Sequence, residues 1–400
     1  MANTMSIEQA TVVLNAIVAA AQGRDFDPNN ITDFTTIGQK ALLVGDDPIL
    51  RGISQVLTKT IFAIRPYYRK FKNLSVTKEA YGNFVRKVNY CDTDVKDAER
   101  YDLPDGINKF NTKGMYEINK TPVFQENFYG AETFDRSTTV YKDQMNVSFT
   151  DLAQFNSFIG GIMQNAQDQI EQDHETLARN LICMAIIGDI AASNAPSGTP
   201  INKIVNLVTE YNNATGAGIT PADVYKPEVF PNFMKFTYAL IASVSAMLTE
   251  RTSLYQTNIN GKKIMRHTPY DKQRMFMFAP DRFAMEARVL ADTYHDNYLK
   301  YVDVETVNYW QDAANPEQIT VPEVNYLKSD GTIGTSNEFP QVSDVFAYLH
   351  DVDKLGYNVV SEWSAPSPFE ARLGYTNIWW HFTDRYWRSD LEKSVVFRLA

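Results

Sequence analysis

Five histidines and two cysteines are the residues of this 400-residue sequence best suited to metal or nucleophilic chemistry. Their spacing supports neither. His174, His267, His295, His350 and His381 form no HExxH pair, and no cysteine stands at ligand spacing from any of them. Cys91 and Cys183 form no CxxC, so neither a zinc ribbon nor a disulfide framework is indicated, which fits a reducing interior. There is no GxSxG elbow and no P-loop, and "GAGIT" after Thr215 holds only part of a dinucleotide-binding turn. "DFDPNN" from Asp25 lacks the glycine and the closing glutamate of a calcium loop. The carboxylate pairs in "DVET" (303–306) and "DVDK" (351–354) are of a kind any long chain contains. His174-Glu175 is expected as a solvated pair on a helix surface. No catalytic, cofactor-binding or metal residue is assigned, and no cofactor is implied.

The element on which His174 sits is the most informative one. From Asp151 to Ile182 the chain has no proline, and apolar residues from Leu152 through Phe155, Ile159, Ile162 and Ile170 to Leu181 recur at steps of three, four or seven. Ser148 or Thr150 can cap the start, and Asp151 suits the first turn. Unbroken from 149 to 182, such a helix would extend about 50 Å. The stripe is thin, which predicts that the remaining faces are wet or meet partners. Gly160 and Gly161 each cost a helix interior about 1 kcal/mol relative to alanine. They mark either close packing or a candidate bend.

Before that helix, residues 1–82 read as an arm with helices. Its "ATVVLNAIVAAA" follows Glu8 and has no basic flank, so a signal peptide is not expected. No uninterrupted apolar run reaches the eighteen or so residues that span a bilayer, and no membrane partner is expected. Residues 83–148 form a long polar and aromatic stretch with short extended pieces, including "TPVFQENFYG". A segment so irregular is expected to be ordered by something outside its own domain. Its aromatics, Phe124, Phe128 and Tyr129 among them, argue against plain disorder. After the spine-like helix (149–190), residues 191–345 mix turn-rich connectors, a helix near Asn232–Arg251, a buried strand in "RMFMFAP" and the helix "PDRFAMEARVLA". Residues 346–400 close with extended, aromatic-rich runs. The class is α+β, without βαβ alternation.

Net charge is −10, which argues against a dedicated nucleic-acid binder. Yet the charge comes in adjoining blocks. Arg51–Tyr90 holds nine basic residues against Glu79 alone, Arg65, Arg69, Lys70 and Lys72 among them. Asp92, Asp94, Asp97 and Glu99 open the acidic stretch that follows. Opposed blocks suit contacts between copies of one chain.

The order of these parts resembles the major capsid proteins of tailed bacteriophages, of the Hong Kong 97-type fold, and most of all those of small short-tailed phages (picoviruses). The likeness rests on "TPVFQENFYG", on "VYKDQMNVSFTDLAQFNSFIGGIMQNAQDQIEQDHETLARNLI" and on "NIWWHFTDRYWRSDLEKSVVFRLA". It implies an N-terminal arm, an extended β loop, a spine helix with closing strands in a peripheral domain, and an axial domain over most of 191–345. It implies further a non-enzymatic shell subunit that assembles into pentamers and hexamers of an icosahedral virion. The partners implied are a scaffolding protein, a portal and other head proteins, and double-stranded DNA held by non-specific contact. Assembly would take place in the bacterial host cytoplasm. No immunoglobulin-like domain is expected after Ala400. The acidic start of the loop would meet a basic patch such as Arg65–Lys72 of a neighbour. Alternative readings are an encapsulin-like compartment shell, a tail or baseplate protein and, more remotely, a carbohydrate-active enzyme.

Overall fold

A computed structural model describes residues 69–71, 74, 84–93, 120–142, 152–194, 201–259, 264–289, 303–321, 323–336 and 341–400. Arg65, Lys72, Asp94, Asp97 and Glu99 lie outside the described residues. In chain order the strands are β1 (Phe84–Tyr90), β2 (Val123–Tyr129), β3 (Glu132–Tyr141), β4 (Ile204–Asn206), β5 (Gln273–Phe278), β6 (Asp303–Val307) and β7 (Ile319–Thr320). There follow β8 (Asn325–Leu327), β9 (Ile333–Thr335), β10 (Gln341–Val342), β11 (Val345–Asp351), β12 (Leu355–Pro366), β13 (Tyr375–Arg388) and β14 (Ser394–Arg398). The helices are α1 (Leu152–Ser193), α2 (Leu207–Thr215), α3 (Phe230–Thr249) and α4 (Ala279–Val289).

The chain divides into two compact units. One comprises Met1–Asn83, Gly130–Ala178 and Tyr357–Tyr386. Its sheet has the order β12-β13-β3, with β13 and β3 antiparallel in a register that pairs Tyr375 with Tyr141 and Asp384 with Glu132. Period-2 alternation sorts the residues: Thr376, Ile378, Trp380, Phe382 and Asp384 are buried on the face shared with Phe134 and Val140, and their neighbours point the other way.

The second unit comprises Phe84–Tyr129, Arg179–Gly356 and Trp387–Ala400. Its five-stranded sheet runs β4-β14-β11-β5-β6. Strand β11 is antiparallel to both β14 and β5, and all seven of its residues are buried, as expected of a central strand clothed on both faces. Phe346, Leu349, Met275, Met277, Val395 and Phe397 from the sheet form one core with Leu207, Phe233, Met234, Leu248 and Met285 from the helices. Helix α2 ends at Gly216, whose φ of +69° closes the last turn in the left-handed region that glycine adopts without strain. The β1–β2 ribbon, part of the expected extended loop 83–148, is antiparallel from Phe84↔Tyr129 to Tyr90↔Val123, whereas β3 of the same stretch pairs with β13.

Three expectations change. Strand β5, helix α4 and strand β6 make a βαβ unit, since β5 and β6 pair in parallel. The closing stretch 346–400 is shared, with β11 and β14 in the five-stranded sheet and β12 and β13 in the three-stranded one. Helix α1 is 42 residues long, and from His174 to Ala192 it is buried nearly all round. Residues Gln164–Ser193 are even long and apolar enough, by composition, to cross a membrane, but 72% of the most apolar window is covered by the protein itself. The turns from Gly161 to Asp173 keep the exposed faces that the thin stripe suggested.

Candidate assembly surfaces and buried ionic centres

The ribbon β1–β2 has two unlike faces because successive side chains alternate. Inward, Phe128 stacks on Trp387 with ring centroids 5.1 Å apart, and the Lys87 ammonium lies 5.8 Å from the Trp387 ring centroid. Trp387 is fixed in turn by Gly356: a β-carbon there would sit 2.2 Å from the indole, so no other residue leaves room for the ring. Phe124 packs on the buried cluster of Cys91, Ile259, Ile264 and Leu391. Polar anchors complete the seat. Ser389 donates to the Glu126 carboxylate at 2.7 Å, and Lys87 pairs with Glu392. Burial, ahead of every other influence, raises the pKa of Glu126. Arg266 reaches Glu392 at 2.5 Å and also donates to Asn89.

Asp92, expected as a contact with another subunit, is engaged within its own. It pairs with Arg251, and it accepts a hydrogen bond from the Met265 backbone N–H at 3.0 Å. Of the aromatic candidates, Phe124 and Phe128 are likewise used to seat the ribbon, whereas Tyr129 faces outward with 71% of its surface exposed. Tyr90, Val88 and Val123 share that open face, Tyr90 directly opposite Val123.

In the unit built on the three-stranded sheet, His174 is the largest departure from expectation. It is 1% exposed, and its Nδ1 lies 2.7 Å from the Tyr357 hydroxyl and 2.9 Å from the Asp384 carboxylate, which is itself fully buried. Its Nε2 is 3.5 Å from Glu362, an ion-pair distance too long for a good hydrogen bond. Burial by itself would lower the imidazole pKa. The Asp384 and Glu362 carboxylates outweigh it and raise the pKa to about 9, so the ring is a buried cation. The same centre receives two of the basic candidates. Arg69 sits over the Tyr357 ring, 5.2 Å from its centroid, and the Lys70 backbone N–H donates to Glu175 at 3.2 Å. Nearby, Arg136 forks onto Asp173.

The other unit encloses a second centre that the sequence did not disclose. Asp189, 2% exposed, accepts through Oδ1 from Lys203 at 3.2 Å and Lys354 at 2.9 Å, and through Oδ2 from Tyr348 at 2.9 Å and Ser394 at 2.7 Å. Burial opposes the carboxylate's charge, but the two ammonium groups and these hydrogen bonds hold it well below the usual carboxylate range. Burial pushes Lys354 down to about 8 against the pull of Asp189. Arg388 closes the site: it donates to the Met184 carbonyl at 2.9 Å, and its guanidinium occupies the space a β-carbon on Gly188 would need, 2.6 Å away. Asp351 and Lys354, from the "DVDK" set aside above, are both buried; Asp351 accepts from Thr268 at 2.6 Å and caps Asp353 at 2.8 Å.

His350 is fully buried between Phe276 and Tyr348, and burial pushes it down to about 4. Burial pushes the Cys183 thiol up to about 12, which suppresses its nucleophilic form. His174 thus ties α1 to Tyr357 of β12 and Asp384 of β13, and Asp189 ties α1 to Tyr348 of β11 and Ser394 of β14.

A family model of the Phi29-like phage major capsid protein matches residues 47–398. The chain belongs to that family. The capsid protein is also similar to the structure described as the capsid of Staphylococcus phage Andhra, with a TM-score of 0.54 at 10% identity, over 84% of this chain and 85% of that one. The structure of head fiber and inner core protein gp22 of native bacteriophage P68 aligns with a TM-score of 0.49 at 9% identity, over 83% and 85% of the respective chains. No curated protein matches the sequence. The fold is thus an α+β capsid fold of the Hong Kong 97 type, and the capsid protein is a structural component of a phage virion whose subunits associate with one another.

Helix α1 runs through Gly160 and Gly161 without interruption. Gly161 is exposed, and a β-carbon there would meet open space within the subunit. Close packing against the described residues of its own subunit therefore does not account for that glycine.

Proposed function

We propose that this chain is the repeating subunit of an icosahedral head, arranged as pentamers and hexamers around packaged double-stranded DNA. The observation that carries the reading is the two-faced ribbon. One face is pinned by Trp387, Glu392 and Leu391 of its own subunit, while Tyr90, Val88, Val123 and Tyr129 face outward. Exposed, ordered apolar side chains on a ribbon held at fixed orientation suit a neighbouring subunit better than water. The ribbon thus extends across a neighbour, and the acidic residues that follow Asp92 meet a basic surface there.

The unit built on β12-β13-β3 and the first half of α1 corresponds to the peripheral domain, and the unit built on the five-stranded sheet to the axial domain. Net charge of −10 suits a container for DNA, since a strongly cationic wall would trap the entering genome through many phosphate contacts. A scaffolding protein, a portal and other head proteins are the assembly partners, the host cytoplasm is the place of assembly, and the role is structural, not enzymatic. Electron microscopy of the protein, expressed alone and together with its neighbouring phage genes, tests this. Closed shells are expected in at least one preparation. A uniform monomer in both would overturn the reading.

A further inference from the structure

The outward face of the three-stranded sheet remains unexplained. Strand alternation puts Trp379, His381 and Tyr375 of β13 on that face, opposite Ser137, Asp135 and Tyr141 of β3. Trp363 of β12 stacks on His381 with ring centroids 4.1 Å apart, and Tyr141 meets Tyr375 edge to face at 6.0 Å. Trp363 is 49% exposed, Tyr141 48% and Trp379 37%. Two half-exposed indoles and a tyrosine on one ordered face are a large apolar surface to leave in water.

We infer that this aromatic face is a contact between copies of the chain within the assembled shell, and that it is too small to hold two free subunits together. The inference rests on the capsid reading above. Rings flanked by polar side chains, Asp135 and Ser137 with the Thr139–Asn377 and Thr133–Thr383 pairs at 2.7 and 3.0 Å, have the make-up of a protein–protein contact, an aromatic centre with a polar rim. Size sets the kind of contact. From Tyr375 to Thr383 the face is about 27 Å long, and three strands make it roughly 14 Å wide, or about 400 Å². A stand-alone interface needs about 800 Å² per partner. Such a contact is silent between isolated subunits and gains effect by repetition around a closed lattice.

Hydroxyl-radical footprinting with mass spectrometry tests this on the full chain, comparing unassembled subunits with closed shells. Oxidation of Trp363 and Trp379 is expected to slow several-fold on assembly. A Trp363→Ser/Trp379→Ser variant is expected to keep the melting temperature of the free subunit and to give shells that dissociate at lower denaturant. If wild-type shells form and both indoles oxidise as fast as in the free subunit, the face is open in the shell and the inference fails while the capsid reading stands. If no shells form under any condition, both fail.

Discussion

Asp189 faces two ammonium groups, so the two kinds of change at this centre should differ sharply. In Asp189→Asn the shape is kept, but Lys203 and Lys354, both 0% exposed, lose the carboxylate they share. Removing one partner of a buried ion pair costs about 3–5 kcal/mol. A loss of about 4 kcal/mol would lower the melting temperature of a unit this large by roughly 10 °C. In Lys354→Met the remaining Asp189–Lys203 pair is charge-balanced, and Tyr348 and Ser394 still donate to Oδ2. A volume-conserving apolar replacement should therefore cost under about 1.5 kcal/mol. The two variants also separate in their response to pH. Lys354 in the folded protein has its pKa lowered to about 8 from an ordinary 10.5. Between those values the unfolded chain binds more protons, so stability rises with pH, by roughly 3 kcal/mol at most across the window. The gain is complete above the ordinary lysine value and is lost as pH falls through about 8. Lys354→Met removes that slope. Denaturant melts of the unassembled subunit from pH 7 to pH 10, followed by circular dichroism, measure both effects. Equal destabilisation by the two variants, or a slope that survives in Lys354→Met, would refute the account of the centre.

His174 gives the opposite sign. Its folded pKa of about 9 lies above the ordinary 6.5, so its stabilisation is full below pH 6.5 and is lost as pH rises to 9; His174→Asn should flatten that decline in the same melts. Burial, reinforced by Glu317, raises Asp281 to about 6, although its hydrogen bond from Tyr225 at 3.0 Å acts the other way. Stability from this group therefore falls as pH rises from 4 through 6, and Asp281→Asn should be more stable than wild type at pH 7 and lose that dependence, as read by melting temperature. Gly161→Ala meets no neighbour among the described residues and should stabilise the free subunit by about 1 kcal/mol. If the stabilised subunit also fails to close shells by electron microscopy, the glycine serves as a bend, and normal shells would exclude that role.

Much of the scaffold was legible before any coordinates, because local rules govern it. Apolar steps of three and four run along α1, and proline-free length requires a long helix whatever surrounds it. The run "RMFMF" and the aromatic closing segments read as strands, and the order of parts led to the correct family. The misreadings share one physical cause. A charged residue in a sequence looks solvated until its partners are known, and those partners come from far along the chain. Asp189 meets Lys354 and Ser394 only after 165 and 205 residues, and His174 meets Asp384 after 210. The pairing of β5 with β6 across α4 is similarly non-local, so the strand and helix of the βαβ unit were legible but its parallel closure was not. Asp92, Phe124 and Phe128 were singled out as contacts with another subunit, and the structure gives each a partner within its own, since composition cannot say whose surface a side chain meets. The sequence determined which segments become helix and strand and which family they build. Tertiary structure alone decided which charges are buried and which aromatic faces stay open, since burial depends on what the rest of the chain brings to each side chain.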